Sequence, residues 1–337
     1  MDRTVGVLLP KQRTMPRRPA PDDIGEFARS VEELGYSSLW TSEGWGTDSF
    51  VDLSHIATVT DELDLGTSIV NVFTRTPAGL AVAAASIARE ADGRFVLGLG
   101  AGHPSLVEQF HDIEYTNALR RLYETVTLVR RLLGRGDPVS FSGELFEVSD
   151  VPPLDADVPI YTAALGPASR RLTGRKSDGW LPYHIPLPAL DEAFEVIETA
   201  AREGGRDPEE ITVNPYVPAV VSDDPEEAHD EIRHNVAAYV GRFADDTYKG
   251  AVGLSFPDEV EAIATAWRED DHDGAIEAVT QEMVEHIGIS GTPSAAREQL
   301  RELVDQRVVD TPLIATPHGL EERLRERTIS ALSPEKL

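Results

Sequence analysis

The 337-residue sequence contains no cysteine, which excludes disulfides, thiolate metal sites and cysteine nucleophiles. Long apolar runs are also missing: none approaches the roughly 20 residues of a membrane-spanning helix. The N-terminus does not join a basic region to an apolar stretch, so no signal peptide is expected and a cytoplasmic location is. Metal motifs are lacking, because His111-Asp112 and His272-Asp273 have no ligand spacing and no H-E-x-x-H occurs. Nor is there a G-x-S-x-G elbow of the kind that presents a nucleophilic serine in esterases. Lysine is confined to Lys11, Lys176, Lys249 and Lys336.

Positive charge is scarce overall. Asp and Glu number 59 against 31 Lys and Arg, a formal net charge of −28. That balance argues against nucleic acids and anionic membranes as partners. The carboxylates are spread along the whole chain, whereas an acidic binding tail would gather them in blocks. Such a surface repels itself at low ionic strength and is screened at 1 M salt, where the Debye length is about 3 Å. The composition reads as that of a salt-adapted cytosolic protein, as in haloarchaea, with an ordinary acidic protein as the alternative. With 41% hydrophobic residues the chain can bury a sizeable core.

What is present is an alternation of short apolar runs with helical patterns. Thr4–Leu9 reads as a buried strand. Asp22 or Asp23 can cap a helix with Ile24, Phe27, Ala28, Val31 and Leu34 on one face, stopped by Gly35. Ser37–Thr41, Asp64–Val70 and Arg94–Leu99 read as strands two to four, with an alanine-rich helix from Pro77 to about Glu90 before the fourth. A helix is expected over about Thr116–Leu133 and a hairpin over Val139–Val148. Val158–Ala163, Asp178–Pro182, Ile211–Val221 and Val308–Ala315 read as strands five to eight. Helices are expected from Pro167, over about Ala189–Glu203, from Asp223-Asp224-Pro225, from Thr292-Pro293, and over Glu321–Arg327 with a Glu321–Arg325 pair.

Strands separated by helices imply a parallel sheet covered on both faces. Eight such units in this length fit a (β/α)8 TIM barrel, an α/β fold; spacing alone leaves a doubly wound sheet open. The stretches near 107–150 and 240–290 are too long for simple connections and are expected to be insertions on a single domain spanning 1–337.

In a barrel the chemistry lies at the C-terminal ends of the strands. The sequence places Thr41-Ser42-Glu43-Gly44-Trp45 after strand two, Asn71 to Arg75 after strand three and Gly98 to Pro104 after strand four. Ala163-Ala164-Leu165-Gly166-Pro167 follows strand five, and Tyr183 with His184 follows strand six. Gly98–Gly102 suits either a backbone cradle for a phosphate or a tight strand-to-helix turn. It is not a dinucleotide fingerprint, because His103 stands where the last glycine would be. Glu43 and His103 can act as acid–base groups, and each, like His184, also reads as a structural or surface residue. These residues by themselves point to a soluble α/β enzyme with an anionic cofactor.

Taken in order, the segments resemble the bacterial luciferase-like superfamily of flavin- and deazaflavin-dependent oxidoreductases. The resemblance rests on Glu33–Glu43 (ELGYSSLWTSE), Leu65–Asn71 (LGTSIVN) with Arg75-Thr76-Pro77, and Gly93–Gly102 (GRFVLGLGAG). Pro159–Ala164 (PIYTAA) with Gly166-Pro167, Ser177-Asp178-Gly179 and Gly291-Thr292-Pro293 extend it over nearly the whole chain. It implies a luciferase-like barrel with insertions, a small-molecule substrate and a homodimer. Arg-Thr-Pro after strand three favours the branch that uses coenzyme F420, a deazaflavin, with FMN as the alternative. In that branch strand three ends in a bulge with a cis peptide not preceding proline, and Ser68-Ile69 matches its position.

The resemblance assigns coenzyme binding to Glu43, Ser68, Ile69, Val70, Asn71, Ala101, Gly102, His103, Ala163, Ala164, Gly166, Pro167 and Ala168. His103 and Glu43 are the candidate catalytic residues; His103 stands where several members carry an acidic residue. Arg75, Tyr183 and His184 would line the substrate pocket, and no metal is expected. The implied activity is hydride transfer between the deazaflavin C5 and a small organic substrate. An FMN-dependent monooxygenase, a methylene-tetrahydropterin reductase and a noncatalytic (deaza)flavin-binding protein are the alternatives. The pterin reductases carry a glutamate near the position of Leu8, which cannot donate a proton. The helix face of Ala81, Ala84, Ala85 and Ala88 suits close packing, either against a second copy or against the chain's own sheet.

Overall fold

The computed structural model describes residues 4–11, 20–242 and 246–337. The first third runs β1 (Gly6–Leu8), α1 (Ile24–Glu33), β2 (Ser38–Thr41), α2 (Ser49–Ala57), β3 (Asp64–Thr67), β4 (Val70–Asn71), α3 (Pro77–Glu90) and β5 (Phe95–Gly100). The middle comprises α4 (Pro104–Gln109), α5 (Ala118–Leu133), β6 (Val139–Ser142), β7 (Glu147–Val151), β8 (Ile160–Thr162), α6 (Pro167–Lys176), β9 (Gly179–Trp180) and α7 (Leu190–Glu203). The rest is β10 (Thr212–Val213), β11 (Tyr216–Val221), α8 (Pro225–Arg242), α9 (Asp246–Val252), α10 (Pro257–Arg268), α11 (His272–Glu277), α12 (Gln281–Ile287), β12 (Ile289–Gly291), α13 (Pro293–Val304), β13 (Leu313–Ala315) and α14 (Glu322–Ala331).

Side-chain caps fix where many helices begin. Asp23 accepts the Glu26 N–H at 2.9 Å to start α1, and Thr76 accepts the Gly79 N–H at 3.1 Å ahead of Pro77 to start α3. The sequence reading passed over α2. Its signals were local: Asp48 accepts the Phe50 N–H at 3.0 Å, and Phe50, Leu53, Ile56 and Ala57 form one buried face. At the other end of the chain the expected Glu321–Arg325 pair does not form. Glu321 is extended and precedes the helix, so it does not share the helical face of Arg325, which pairs with Glu322 at 3.5 Å.

Parallel ladders run in the order β10-β9-β8-β5-β3-β2-β1-β13-β11-β12, with β4 beside β5. β10 and β11 belong to one stretch, 212–221, so the two sides of this path meet and the sheet closes as an α/β barrel. The expected seventh strand over Ile211–Val221 therefore divides. Residues 212–213 pair with β9, whereas 216–221 pair with β13 on one side and β12 on the other. Pro215 has no N–H to give a ladder and marks the division. A single parallel bridge, Tyr183 with Tyr216, spans the seam. The third strand is broken too. It ends at Thr67, the Ser68-Ile69 peptide is cis, and β4 moves over to pair with β5.

Alternation along the strands separates two apolar regions. Leu39, Leu65, Leu97 and Ile160 point outward into the core beneath the helices, while Trp40, Tyr161, Leu181, Tyr216 and Leu313 cluster together inside the barrel. A further cluster joins α8 to α10, α11 and α12 through residues such as Ile232, Val236, Ile263 and Met283. It accounts for the long stretch near 240–290; α5 and the β6–β7 hairpin occupy the one near 107–150. Ala81, Ala84 and Ala88 are buried in the chain's own core, with Ala85 packed against it. That face is therefore committed within the chain and is not available to a second copy.

Candidate active site

The C-terminal ends of β2, β4 and β5 are stitched to one another around the bulge. The Ser68 N–H donates to the Thr41 carbonyl at 2.6 Å, the Glu43 N–H to the Ile69 carbonyl at 3.2 Å, and the Val72 N–H to the Gly100 carbonyl at 3.1 Å. Gly100 is required here because a Cβ would lie 2.7 Å from Ile69 Cδ1. Asn71 folds its Oδ1 back to accept the Phe73 and Thr74 N–H groups, each at 3.0 Å. Ser68, Ile69, Val70 and Asn71 thus share one corner with Glu43, as the resemblance implied.

Glu43 is 9% exposed and pairs with the Arg75 guanidinium, whose other end reaches Asp48 at 2.7 Å. Arg75 also lies over the Phe50 ring, 5.0 Å from its centroid. Arg75, expected in the substrate pocket, is engaged by two carboxylates and an aromatic face. Lys11 adds a second cation nearby, donating to the Ser42 carbonyl and to Thr47 Oγ1. Burial pushes the Glu43 carboxyl above its ordinary value, and Arg75 opposes the shift without cancelling it.

A carboxyl whose folded pKa lies above its unfolded one holds its proton longer in the folded state. Stability then falls as pH rises through that interval, so Glu43 costs stability at neutral pH. Glu43→Gln is expected to melt at or above the parent temperature at pH 7, with the difference closing as pH falls below the ordinary value of 4.5. Thermal melts across pH check this; a Gln variant that melts lower at pH 7 would mean that the Arg75 pair outweighs burial.

His103 is the N-cap of α4. Its Nδ1 accepts the Ser105 N–H at 3.2 Å and lies 2.7 Å from Ser105 Oγ. Accepting at Nδ1 puts the proton of the neutral ring on Nε2. Ahead of it, Gly102 has φ +71°, and a Cβ there would meet Asn71 Cβ at 2.9 Å. Gly98 and Gly100 lie within β5, so the 98–102 segment is strand and tight turn, and the first amide of α4 is already capped. The turn after β8 differs. Ala163 continues the ladder from Leu99, and the Ala164 carbonyl accepts the Trp180 indole N–H at 2.7 Å. Gly166, Pro167 and Ala168 then open α6 with no side-chain cap, which leaves early amides for an anion.

Tyr183 and His184 complete the circle. Tyr183 packs with Ile69, Ala163 and Tyr216 in the cluster inside the barrel. His184 is 1% exposed and has φ +55°. Burial pushes its imidazole down to about 3, so the ring is neutral. Neither ring nitrogen has a hydrogen-bond partner among the described residues. Sequence reasoning missed Tyr216, Tyr239 and Tyr248, which reach this corner from β11, α8 and α9. It also missed Lys11 and Asp48, of which Asp48 was visible as a helix cap.

The same end of the barrel collects buried polar atoms without a partner among the described residues: Thr41 Oγ1, Glu43 Oε2, Asn71 Nδ2, Thr74 Oγ1 and Thr316 Oγ1. Each buried orphan costs about 1–3 kcal/mol. Their gathering at the ends of β2, β4 and β13 is what a polar, ring-sized ligand would satisfy. No group of three or more His, Asp or Glu residues suited to a metal occurs among the described residues. The unpartnered polar atoms suit an organic coenzyme held by hydrogen bonds.

Residues 3–311 match the family described as luciferase-like monooxygenase. The chain is 29% identical over 310 residues to a coenzyme F420-dependent oxidoreductase of Mycobacterium tuberculosis, covering 83% of this chain and 87% of that one. It is 28% identical over 287 residues to the 5,10-methylenetetrahydromethanopterin reductase of Methanolobus tindarius, covering 84% and 86%. The solved structure of the coenzyme F420-dependent tetrahydromethanopterin reductase of Methanopyrus kandleri superposes with a TM-score of 0.79 at 21% identity, over 99% of this chain and 98% of that one.

Proposed function

Because the chain belongs to the luciferase-like monooxygenase family, we propose that it is a coenzyme F420-dependent oxidoreductase acting on a small organic molecule. The observation that carries this reading is the pair of buried, unpartnered polar atoms of Thr41 and Asn71 beside the bulge. Relatives whose names specify that coenzyme support the choice. When bound, the coenzyme supplies the hydride chemistry. The chain's own residues do the rest. Ser68, Ile69, Val70, Asn71 and Glu43 would hold the ring, together with Ala101, Gly102 and Ala163. The turn Gly166-Pro167-Ala168 at the start of α6 would take the phosphate, with Gly166 and Ala168 supplying N–H groups and Pro167, which has none, setting the turn. His103 would exchange a proton through Nε2, since Nδ1 is engaged by Ser105. Leu8 at the end of β1 disfavours the pterin-reductase reading, because an alkyl group moves no proton.

Titration of the purified protein with F420 and with FMN, in molar salt, tests the assignment. Saturable binding of F420 and weak or absent binding of FMN is the expected result. FMN binding with no response to F420 would replace this reading with the monooxygenase one.

The whole of 1–337 is taken as one catalytic unit, located in the cytoplasm. Its charge of −28 suggests a salt-adapted source, and the melting temperature is expected to rise from 0.1 M to molar KCl as carboxylate repulsion is screened. A melting temperature that stays flat across that range would remove the salt-adaptation argument. A homodimer is proposed as well, and the exposed Val51 and Val82 on α2 and α3 are compatible with it. Light scattering in molar salt that returned the mass of one chain would exclude the dimer.

A further inference from the structure

We propose that His184, walled by Tyr183, Tyr239 and Tyr248, is the hydrogen-bonding group of a substrate site for uncharged molecules that carry a hydroxyl or carbonyl oxygen. The proposal rests on the oxidoreductase reading for its place beside the coenzyme, because Tyr183 joins Ile69 and Ala163 in one cluster.

Three observations converge on His184. The side chain is 1% exposed, yet both ring nitrogens lack a partner among the described residues. Buried polar groups are almost always satisfied, so an imidazole orphaned at both nitrogens calls for a ligand. The residue also sits at φ +55°, a left-handed conformation uncommon outside glycine. A packing residue at this place would need neither cost. Finally, its surroundings are aromatic. Ring centroids lie 4.1 Å away at Tyr183, 4.5 Å at Tyr239 and 5.7 Å at Tyr248.

Those surroundings also specify the ligand. Burial alone perturbs the imidazole, with no charged group contributing. A phosphate or carboxylate placed here would be desolvated with no cation among the described residues to compensate it. A neutral imidazole donates from one nitrogen and accepts at the other, which matches a hydroxyl or carbonyl oxygen. Tyrosine rings offer flat apolar faces to the carbon body beside that oxygen. Tyr248 is partly exposed, so the aromatic wall reaches the surface at α9.

The experiment uses the coenzyme-free full-length protein in molar salt. Calorimetry with cyclohexanol, cyclohexanone and cyclohexanecarboxylate is expected to show binding of the first two and none of the third. His184→Phe is expected to weaken the first two by about tenfold, the size of one hydrogen bond. Should that variant fold poorly, the imidazole ¹⁵N signals of His184 in the parent protein are expected to move on adding cyclohexanol. Unmoved signals, equal affinity in the variant, preference for the carboxylate, or no binding of any of the three would each overturn the proposal. The F420 titration of the same preparations reports separately on the coenzyme, so loss of one reading is distinguishable from loss of the other.

Discussion

Turnover by a His103→Asn variant is expected to fall about 10²-fold or more, the scale of a general acid–base contribution, while its melting temperature stays close to that of the parent. The argument turns on the two jobs of one ring. Nδ1 of His103 caps α4 by accepting the Ser105 N–H at 3.2 Å. Asparagine is as good a cap as any residue, so the helix start survives the change. What is lost is an imidazole, a ring able both to take up and to release a proton. His103→Ala removes both jobs and is expected to match the turnover loss with a further stability cost of about 1 kcal/mol. Turnover is read as the absorbance change of the coenzyme with a substrate drawn from a donor and acceptor panel, and stability as thermal melting. Full turnover by His103→Asn would make the histidine a turn residue and place proton exchange on another group.

The largest loss of stability is expected from Gly98→Ala. Gly98 lies inside β5, where its N–H donates to Thr67 Oγ1 and its carbonyl accepts from the same hydroxyl, both at 2.8 Å. A Cβ at this position would stand 1.9 Å from the Thr67 carbonyl oxygen. The clash is with backbone inside two ladders, so no rotamer relieves it. Overpacking of this kind costs about 1–3 kcal/mol, occasionally more, and the upper end is expected here. The strand would have to shift, and Thr67 is the residue from which the bulge departs. Gly250→Ala on α9 is the control, because a Cβ there meets nothing within 4 Å. Denaturant midpoints separate the two; a Gly98→Ala midpoint equal to that of Gly250→Ala would show that β5 has slack the structure does not reveal.

Much of the barrel was legible because helix starts are written locally. Asp23, Thr76-Pro77, Gly166-Pro167 and Thr292-Pro293 each announce a first turn through a cap or a proline, and each stands where a helix begins. Pairing partners are not local, and that is where reading along the chain stopped. Nothing in Ile211–Val221 says that its first residues follow β9 and its later ones β12 and β13, although Pro215 hints at the change. Periodicity places Ala81, Ala84 and Ala88 on one face and cannot say what covers it. The bulge position was reached through the family resemblance rather than from any period. The surroundings of His184 come from Tyr239 and Tyr248, more than fifty residues further along, so no pattern around the histidine announces them. The two carboxylate partners of Arg75, Glu43 and Asp48, lie some thirty residues upstream, beyond any local pattern.

The divided seventh strand gives the barrel two walls of unequal independence. From β1 through β2, β3, β5 and β8 each strand pairs with the next, interrupted only by the bulge after β3, and a change in any of these strands is felt by both neighbours. On the other side β10 stays with β9 while β11 departs, and α8 with α10, α11 and α12 forms an apolar cluster of its own. Substitutions behind that seam are absorbed locally instead of being passed around the ring. Change of sequence behind the seam can therefore be tolerated without disturbing the continuous wall that carries the bulge.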